Sequence, residues 1–122
     1  MFELVALLLI TQQPIQPVLQ GPASYYTVAS SSSMTASGER FRDDLLTCAM
    51  LDGEFGDHFL VVADNGNSVV VRLNDRGPYH RNRVIDLSKA AMRRLGAVSD
   101  GVIDVSVFPL SPEEAARIHD GP

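Results

Sequence analysis

The stretch GNSVVVRLNDRGPY, residues 66–79, joins a run of β-branched residues to a turn. The run SVVVRL is typical of a β-strand, and the Gly-Pro pair beyond Asp75 predicts its end. Another apolar run, FLVVA at residues 59–63, precedes it, and Asn65-Gly66 between the two runs favours a tight hairpin because both residues tolerate positive φ. The sequence therefore predicts two paired strands, with Asp75 directly after the second.

Further short runs lie on both sides of this hairpin. ASYYTVA (23–29) and VIDVSVF (102–108) have the aromatic and β-branched residues of strands. DLSKAAMRRLG (86–96), which Asp86 or Ser88 can cap, and SPEEAARIHDG (111–121) have the caps and the spacing of short helices. The small, polar SSSSMTASGE (30–39) predicts an exposed loop. Several short strands with one helix before the last of them favour a small barrel over a layered α/β fold.

Composition limits the classes of function. With 122 residues and 45% apolar content, the chain suits one domain with a small core. The formal net charge is −5, yet seven of the ten lysines and arginines fall between residues 72 and 94. This balance argues against nucleic acid as the main ligand and permits either a small anionic ligand or a solvated basic face. The single cysteine, Cys48, excludes an intrachain disulfide framework and a cysteine zinc cluster, and no motif indicates a metal or a cofactor.

The first twenty residues form a separate segment. Their apolar run, Leu4 to Ile10, is too short to span a bilayer, so no transmembrane span is predicted. The run resembles the apolar part of a secretory signal, but Glu3 stands where a basic residue is usual and no small-x-small cleavage site precedes Gly21. Residues 1–20 are therefore either an atypical signal, which would send the protein to the cell envelope or outside the cell, or a packed N-terminal arm. The expected barrel covers residues 21–109, and a short helix or tail covers 110–122.

Five sequence blocks resemble, in order and spacing, the signature of the rare lipoprotein A (RlpA) family. They read ASYY, TASGERF, LTCAM, GNSVVVRLNDRGPY and RVIDLSKAAMRRLG. The likeness covers roughly Gly21 to Pro109, and five ordered blocks are much more specific than NDRGP alone. The resemblance implies a mainly β fold, a six-stranded double-psi β-barrel with one or two short helices. It also implies a lytic transglycosylase that cuts peptidoglycan glycan strands and prefers strands without peptide.

Asp75 is the candidate general acid and base. Cleaving the bond between N-acetylmuramic acid and N-acetylglucosamine without water requires a group that protonates the leaving oxygen. A base must then help the 6-hydroxyl of the muramoyl sugar attack its own anomeric carbon, and one carboxyl can serve both steps. Asp75 follows a strand directly, so the barrel would hold its backbone rigidly. The alternative for the same residue is a turn aspartate that accepts hydrogen bonds from backbone amides.

The other polar site residues of the family are a glutamate in the GE block and a histidine at the end of the block that reads LTCAM here. Glu39 matches the glutamate and is the second candidate catalytic residue. Met50 occupies the histidine position, although a thioether neither titrates nor donates a hydrogen bond. His58 would compensate if the next strand folded back beside Met50, but a partly exposed loop histidine is the favoured interpretation. Thr47 and Met50 are assigned to substrate binding with this block. The resemblance implies that Asp75 lines a surface groove within reach of Glu39 and that Met50 lies at the same groove.

Sugar-binding candidates surround Asp75 in the sequence. Tyr79 can stack on a sugar ring, and Tyr25 and Tyr26 either do the same or pack in the core. Arginines in this stretch can pair with muramoyl carboxylates. These substrate-binding candidates are Arg76, Arg81 and Arg83. Asp86 is interpreted as a helix cap or the partner of an arginine, in preference to a second catalytic carboxylate.

Three classes of function remain open from the sequence. The first is a lytic transglycosylase that cleaves peptidoglycan glycan strands through Asp75. The second is a noncatalytic peptidoglycan-binding barrel, which Met50 favours. The third is an assembly or inhibitor-type barrel whose N-terminal arm docks into a larger particle or envelope complex. None of the three specifies the oligomeric state.

Overall fold

The structure, a computed structural model, describes residues 15–30, 33–80 and 82–119. This part of the chain forms six strands, two α-helices and a short 3-10 turn at Val28–Ser30. The strands are β1 (Leu19–Tyr26), β2 (Thr47–Ala49), β3 (His58–Ala63), β4 (Ser68–Asp75), β5 (Ile85–Ser88) and β6 (Val102–Leu110). The helices are α1 (Lys89–Arg94) and α2 (Pro112–His119).

The strands close into a barrel in the order β1-β5-β2-β4-β3-β6. β1 pairs in parallel with β5, and β2 with β4, whereas the other neighbours are antiparallel. The first and last strands pair with each other, and this closure leaves no open sheet edge for another chain to extend. The expected mainly β fold, a six-stranded barrel with short helices, is confirmed.

Apolar side chains from alternate strand positions fill the barrel. In β3, Phe59, Val61 and Ala63 are buried while the residues between them are half-buried. The helix α1 packs against β1, β4 and β5 and adds Met92 and Leu95, both fully buried, to the same core. The strand ends that carry the polar candidates are therefore held in place by a packed interior.

Two strands lie where the sequence patterns predict none. β2 is three residues long and buried throughout, so it has no alternation of apolar and polar residues. β5 includes residues 86–88, which the sequence assigned to a helix. That helix instead begins at Lys89, with the Ser88 hydroxyl as its N-cap accepting from the backbone amide of Ala91. Asp86 is therefore not the cap.

Both ends of the barrel differ slightly from the sequence boundaries. β1 begins at Leu19, inside the segment assigned to the arm, and the Val18 amide already donates to the Val107 carbonyl. At the other end, α2 has the predicted capping box, in which the Ser111 hydroxyl and Glu114 carboxylate accept from each other's backbone amides. Within the described part of the chain, no helix is long and apolar enough to cross a membrane. Residues 1–14, the greater part of the signal or arm segment, lie outside the described residues.

The loop predicted to be exposed is attached to the barrel by a few polar contacts. Met34 forms an isolated antiparallel bridge with Arg40, and Thr35 between them is only 6% exposed. The Ser37 amide donates to the Asn74 carbonyl at the end of β4. Six of the eight residues 33–40 are exposed, as the sequence predicts. Polar contacts to β4 hold this segment, which has few apolar groups to bury.

Candidate active site

An open groove of about 210 Å³ lies at the end of β4. Three strands besides β4 contribute residues to it, as does the turn after β4. Its lining residues are Tyr26, Ala49, Asp75, Arg76, Gly77, Pro78, Tyr79, His80 and Asp86. Gly77 has φ of +133°, which a residue with a side chain rarely adopts, and a cis peptide bond joins it to Pro78. We call this surface the Asp75 groove.

Larger cavities lie elsewhere on the barrel. One of about 540 Å³ is lined by Met50, Phe59 and Arg83 among others, and one of about 510 Å³ is lined by backbone and side chains around Asp64 and Asp104. Size alone does not identify the site, because a polymer that lies along a surface needs no enclosed volume. The Asp75 groove is the candidate site because two carboxylates and an exposed aromatic ring meet there.

The carboxylate of Asp75 has different partners at its two oxygens. Oδ1 accepts from the backbone amides of Ala36 and Arg76, both at 2.9 Å. Among the described residues, Oδ2 accepts a hydrogen bond only from the hydroxyl of Tyr26, at 3.1 Å. The turn interpretation is therefore correct for Oδ1, which is fully occupied by amides. Oδ2 keeps a lone pair that another donor can use.

Tyr26 connects Asp75 to the packed part of the barrel. Its ring stacks on Phe41 with centroids 4.3 Å apart, so the hydroxyl is presented to Asp75 from a rigid support. Burial, followed by the adjacent Asp75 carboxylate, raises the pKa of the Tyr26 phenol above its usual value. The phenol therefore remains a hydrogen-bond donor at any pH at which the protein works. Tyr25, its neighbour, instead packs against the core.

The guanidinium of Arg76 is occupied away from the Asp75 carboxylate. It donates to the carbonyl oxygens of Met50, Asp52 and Gly53 at 3.3, 3.3 and 2.6 Å. It also lies 4.3 Å from the ring centroid of Phe55, a cation–π contact. In this arrangement Arg76 ties the segment after β2 to the groove.

Glu39 lies on the outer side of β4, next to the groove. Its carboxylate accepts from the Arg72 guanidinium at 3.0 Å and from the Asn74 side-chain amide at 2.7 Å. The hydrogen bond from Asn74, and then that from Arg72, lower the pKa of Glu39 below its usual value. Glu39 is therefore held as a carboxylate. It is connected to Asp75 only indirectly, through Asn74, the residue before Asp75, and through the loop that contains Glu39 and Ala36.

The side chain of Met50 does not line the Asp75 groove. It is 3% exposed, belongs to the apolar core and lines the 540 Å³ cavity instead. Only its backbone reaches Asp75, because the Met50 amide donates to the Asp75 carbonyl at 3.2 Å. The expectation that Met50 shares the groove with Asp75 is not met.

His58 and Thr47 belong to a third cavity. His58 is the first residue of β3, not a loop residue, and it pairs across the sheet with Arg72 and Leu110. Thr47 is 2% exposed and pairs with Arg72 from the other side. Both line a cavity of about 440 Å³ that does not include Asp75, so His58 is not placed to compensate for Met50 in the groove.

The remaining substrate-binding candidates, Tyr79, Arg81 and Arg83, do not lie together at one site in the described structure. Tyr79 is 80% exposed at the groove and presents its ring to solvent. Arg83 is half-buried and lines the 540 Å³ cavity, and its Nη1 has no hydrogen-bond partner among the described residues. Arg81 lies outside the described residues. Of these three, Tyr79 alone is seen to line the Asp75 groove.

Asp86 and Tyr26 are groove residues whose positions the sequence interpretation missed. Ala49 of β2 pairs with Asp75 on one side and with Asp86 on the other, so the two aspartates flank β2 with Cα atoms roughly 10 Å apart. The carboxylate of Asp86 accepts a hydrogen bond from the Ser24 hydroxyl. Alternation of apolar and polar residues in IDLS was the available sign that this segment is a strand with Asp86 on one face.

A closed six-stranded barrel with this strand order and a polar groove at a strand end defines the double-psi β-barrel class. A family model described as "Lytic transglycolase" matches residues 18–107, so the chain belongs to that family. The resemblance to RlpA is thereby confirmed.

Curated relatives agree with this assignment. The chain is 38% identical over 99 residues to "Endolytic peptidoglycan transglycosylase RlpA" of Neisseria meningitidis serogroup A, covering 80% of this chain and 41% of that protein. It is 44% identical over 100 residues to "Probable endolytic peptidoglycan transglycosylase RlpA" of Treponema pallidum, covering 81% of this chain and 31% of that protein. The chain thus spans less than half the length of either relative.

Solved structures share the fold at lower identity. A Clavibacter michiganensis expansin superposes with a TM-score of 0.61 at 22% identity, covering 76% of this chain and 50% of the expansin. A Streptomyces papain inhibitor has a TM-score of 0.59 at 22% identity, covering 78% of this chain and 99% of the inhibitor. At such identity these similarities establish the barrel fold alone.

Proposed function

We propose that this barrel is a lytic transglycosylase that cleaves the bond between N-acetylmuramic acid and N-acetylglucosamine in peptidoglycan glycan strands. The observation that carries the proposal is the Asp75 carboxylate in an open groove, with Oδ1 fixed by two amides and Oδ2 hydrogen-bonded to Tyr26. The family and the names of its curated relatives support it. With peptidoglycan as substrate, the protein works in the cell envelope.

In the first chemical step, protonated Asp75 gives its Oδ2 proton to the oxygen of the breaking bond, which leaves as the 4-hydroxyl of N-acetylglucosamine. The muramoyl anomeric carbon gains positive charge as that bond breaks. In the second step Asp75, now a carboxylate, takes the proton of the muramoyl 6-hydroxyl. The 6-oxygen bonds to the anomeric carbon, and the product is a 1,6-anhydro ring formed without water.

The surroundings of Asp75 fit these steps. Two backbone amides hold Oδ1, so the side chain cannot rotate away while Oδ2 exchanges a proton. The Tyr26 hydroxyl can donate a hydrogen bond to Oδ2 whenever Asp75 is a carboxylate. Tyr79, exposed at the groove, offers an aromatic face to a sugar ring. Glu39, held as a carboxylate, is suited to accepting hydrogen bonds from sugar hydroxyls and not to donating a proton.

Met50 favours a second candidate function, a barrel that binds glycan strands without cutting them. Its thioether lies in the core and not in the groove, so no imidazole assists Asp75 from this position. On the binding hypothesis, Tyr79 and the groove would retain glycan, and no 1,6-anhydro ends would form.

The test is incubation of the purified protein with peptide-free glycan strands, followed by mass spectrometry of the products. We expect 1,6-anhydro ends from the wild type and none from Asp75→Asn, because an amide cannot supply the proton or take it back. Binding to the strands should largely survive this change. The matched control is Asp100→Asn, an exposed aspartate outside the groove, which should cleave like the wild type.

Two results would redirect the assignment. Retained binding without 1,6-anhydro ends in the wild type would establish the binding function. Equal cleavage by the wild type and Asp75→Asn would show that the acid and base lie elsewhere.

A further inference from the structure

A cavity of about 440 Å³ separate from the Asp75 groove lies beside β2, β3, β4 and α1. Its polar side chains come from four parts of the chain that are distant in sequence. They are Asp44, Thr47, His58, Arg72, Arg93 and Arg94. We call it the arginine pocket.

The arginine pocket is locally basic in an acidic protein. Three arginines and one aspartate line it, whereas the whole chain has a formal charge of −5. The Asp44 carboxylate is already bound by Arg42, at 2.7 and 3.0 Å. Among the described residues, neither Arg93 nor Arg94 has an ion pair. Arg72 is already paired with Glu39, at 3.0 Å. The positive charge of Arg93 and Arg94 is therefore available to a ligand, and an anion is the ligand that it fits.

A second, independent feature of the pocket is the Thr47 hydroxyl. Thr47 is 2% exposed, and its Oγ1 has no hydrogen-bond partner among the described residues. A buried hydroxyl without a partner is unfavourable and uncommon in native proteins. Because a hydroxyl can rotate to donate to an oxyanion, a bound anion would satisfy it.

The arginine pocket is linked to the Asp75 groove along one strand. Arg72 and Asp75 are both in β4, three residues apart, which corresponds to about 10 Å along an extended chain. The Glu39 carboxylate binds both Arg72 and Asn74, the residue before Asp75. This separation is comparable to the length of one disaccharide unit of a glycan strand.

We propose that the arginine pocket binds the lactyl carboxylate of the muramoyl residue one disaccharide away from the bond that is cleaved at Asp75. The ligand's identity rests on the proposed function, whereas the anionic character of the ligand rests on the pocket itself. An amide-linked peptide removes this negative charge, so the pocket would account for the preference for peptide-free strands that the resemblance to the RlpA family implies. The basic segment of the sequence thereby acquires a role in recognition.

The test compares binding of two probes to proteins that cannot cleave. Peptide-free glycan strands and the same strands with the carboxylates chemically reduced to alcohols are titrated against Asp75→Asn. Arg94→Gln is then introduced into the Asp75→Asn protein. Arg117→Gln, introduced into the same protein, is the control, because it changes the charge equally but lies on α2, outside the pocket. We expect Arg94→Gln to weaken binding of the carboxylated strands about fivefold, as for loss of one partly exposed charged contact. Arg117→Gln should leave it unchanged, and the reduced strands should bind all three proteins equally.

Thr47→Val is the complementary variant, because it removes the hydroxyl and keeps the shape. If the hydroxyl serves a ligand, the variant should bind carboxylated strands several-fold more weakly while its melting temperature stays the same or rises. A lowered melting temperature with unchanged binding would mean that the hydroxyl is structural.

The proposal is overturned if Arg94→Gln and Arg117→Gln bind alike, or if Arg94→Gln weakens the reduced strands as much as the carboxylated ones. Failure of the proposed function has a different signature. The wild type would then form no 1,6-anhydro ends. The ratio of affinities for carboxylated and reduced strands would still show whether the arginine pocket binds the carboxylate.

Discussion

At the scale of single residues, the candidate site depends on one carboxylate with unequal oxygens. Backbone amides occupy Oδ1 of Asp75, and a buried phenol occupies Oδ2. The amides belong to the backbone, which a side-chain substitution does not remove, whereas the phenol is a side chain whose hydroxyl a substitution can remove. Tyr26 is therefore the residue through which the environment of Asp75 can be tested.

Tyr26→Phe should reduce the rate of cleavage about 10- to 100-fold, the effect of losing one hydrogen bond to a charged group. The phenylalanine ring keeps the stack on Phe41, so the melting temperature should change little. The rate of 1,6-anhydro product formation and the melting curve are the measurements. The control is Tyr25→Phe, which removes a hydroxyl that has no hydrogen bond to Asp75. Equal losses of rate in both variants would contradict a specific role for Tyr26.

Met50 is the residue at which the sequence and the structure predict different effects of a substitution. A histidine at this position would be expected to restore a partner for Asp75 and raise cleavage. Because the Met50 side chain is buried in the apolar core, we instead expect Met50→His to lower the free energy of unfolding by about 1–3 kcal/mol without raising cleavage. Urea denaturation and product analysis measure the two effects.

Met50→Leu is the matched control for that substitution. It conserves volume and apolar character, so it should cost less than about 1.5 kcal/mol. A stable and more active Met50→His protein would show that the imidazole reaches Asp75 after all.

At the scale of elements, the segment 33–40 is held to the barrel by polar contacts and not by apolar burial. Ala36 and Ser37 bind the end of β4 through their amides, and Glu39 binds Arg72 and Asn74 on the same strand. These contacts place the loop over Asp75 and between the groove and the arginine pocket. The attachment of the loop should therefore depend on the charge of Glu39.

The stabilisation by Glu39 should decrease as the pH is lowered. The pKa of Glu39 is lower in the folded protein than its ordinary value of 4.5, chiefly through the hydrogen bond from Asn74. The stabilisation is thus fully present above the unfolded pKa and is lost as the pH falls through the folded pKa. The Glu39 side chain is 40% exposed, so we expect no more than about 1 kcal/mol from it.

The measurement is the free energy of unfolding of the wild type and Glu39→Gln at pH 7 and at pH values falling below 4.5. The wild type should be the more stable at pH 7, and the difference should shrink towards zero as the pH falls. Glu54→Gln, at an exposed residue outside this network, should show no such change. A difference that grows on acidification would contradict the ion pair.

At the scale of the whole molecule, barrel closure couples the two ends of the described chain. β6 lies between β1 and β3, so no strand can separate without breaking pairs on two sides. The core is continuous, and α1 contributes to it together with the strands. The barrel should therefore behave as one cooperative unit.

We expect equilibrium unfolding in urea to be two-state, with coincident transitions by far-UV circular dichroism and tyrosine fluorescence. The chain has three tyrosines and no tryptophan, and all three tyrosines lie at or near the Asp75 groove. The fluorescence therefore reports the site, and the circular dichroism reports the strands. A fluorescence transition at lower urea would show that the site opens before the barrel.

Sequence patterns alone determined the hairpin of β3 and β4, the strands β1 and β6, and the capped helix α2. Each of these is long enough for its periodicity or its caps to be read locally. The order of five motifs then predicted the closed barrel and placed Asp75 at the end of β4.

Only the tertiary structure decided the composition of the site. β2 is three residues long and buried throughout, so it has no period, and the alternation in β5 extends over only four residues. These two strands nevertheless bring Asp75 and Asp86 to either side of Ala49. Whether Met50 faces the core or the groove depends on a register shift in β2 beside that position. Such registers join strands that are distant in sequence, and a shift of one residue exchanges the two faces, so no local pattern can specify them.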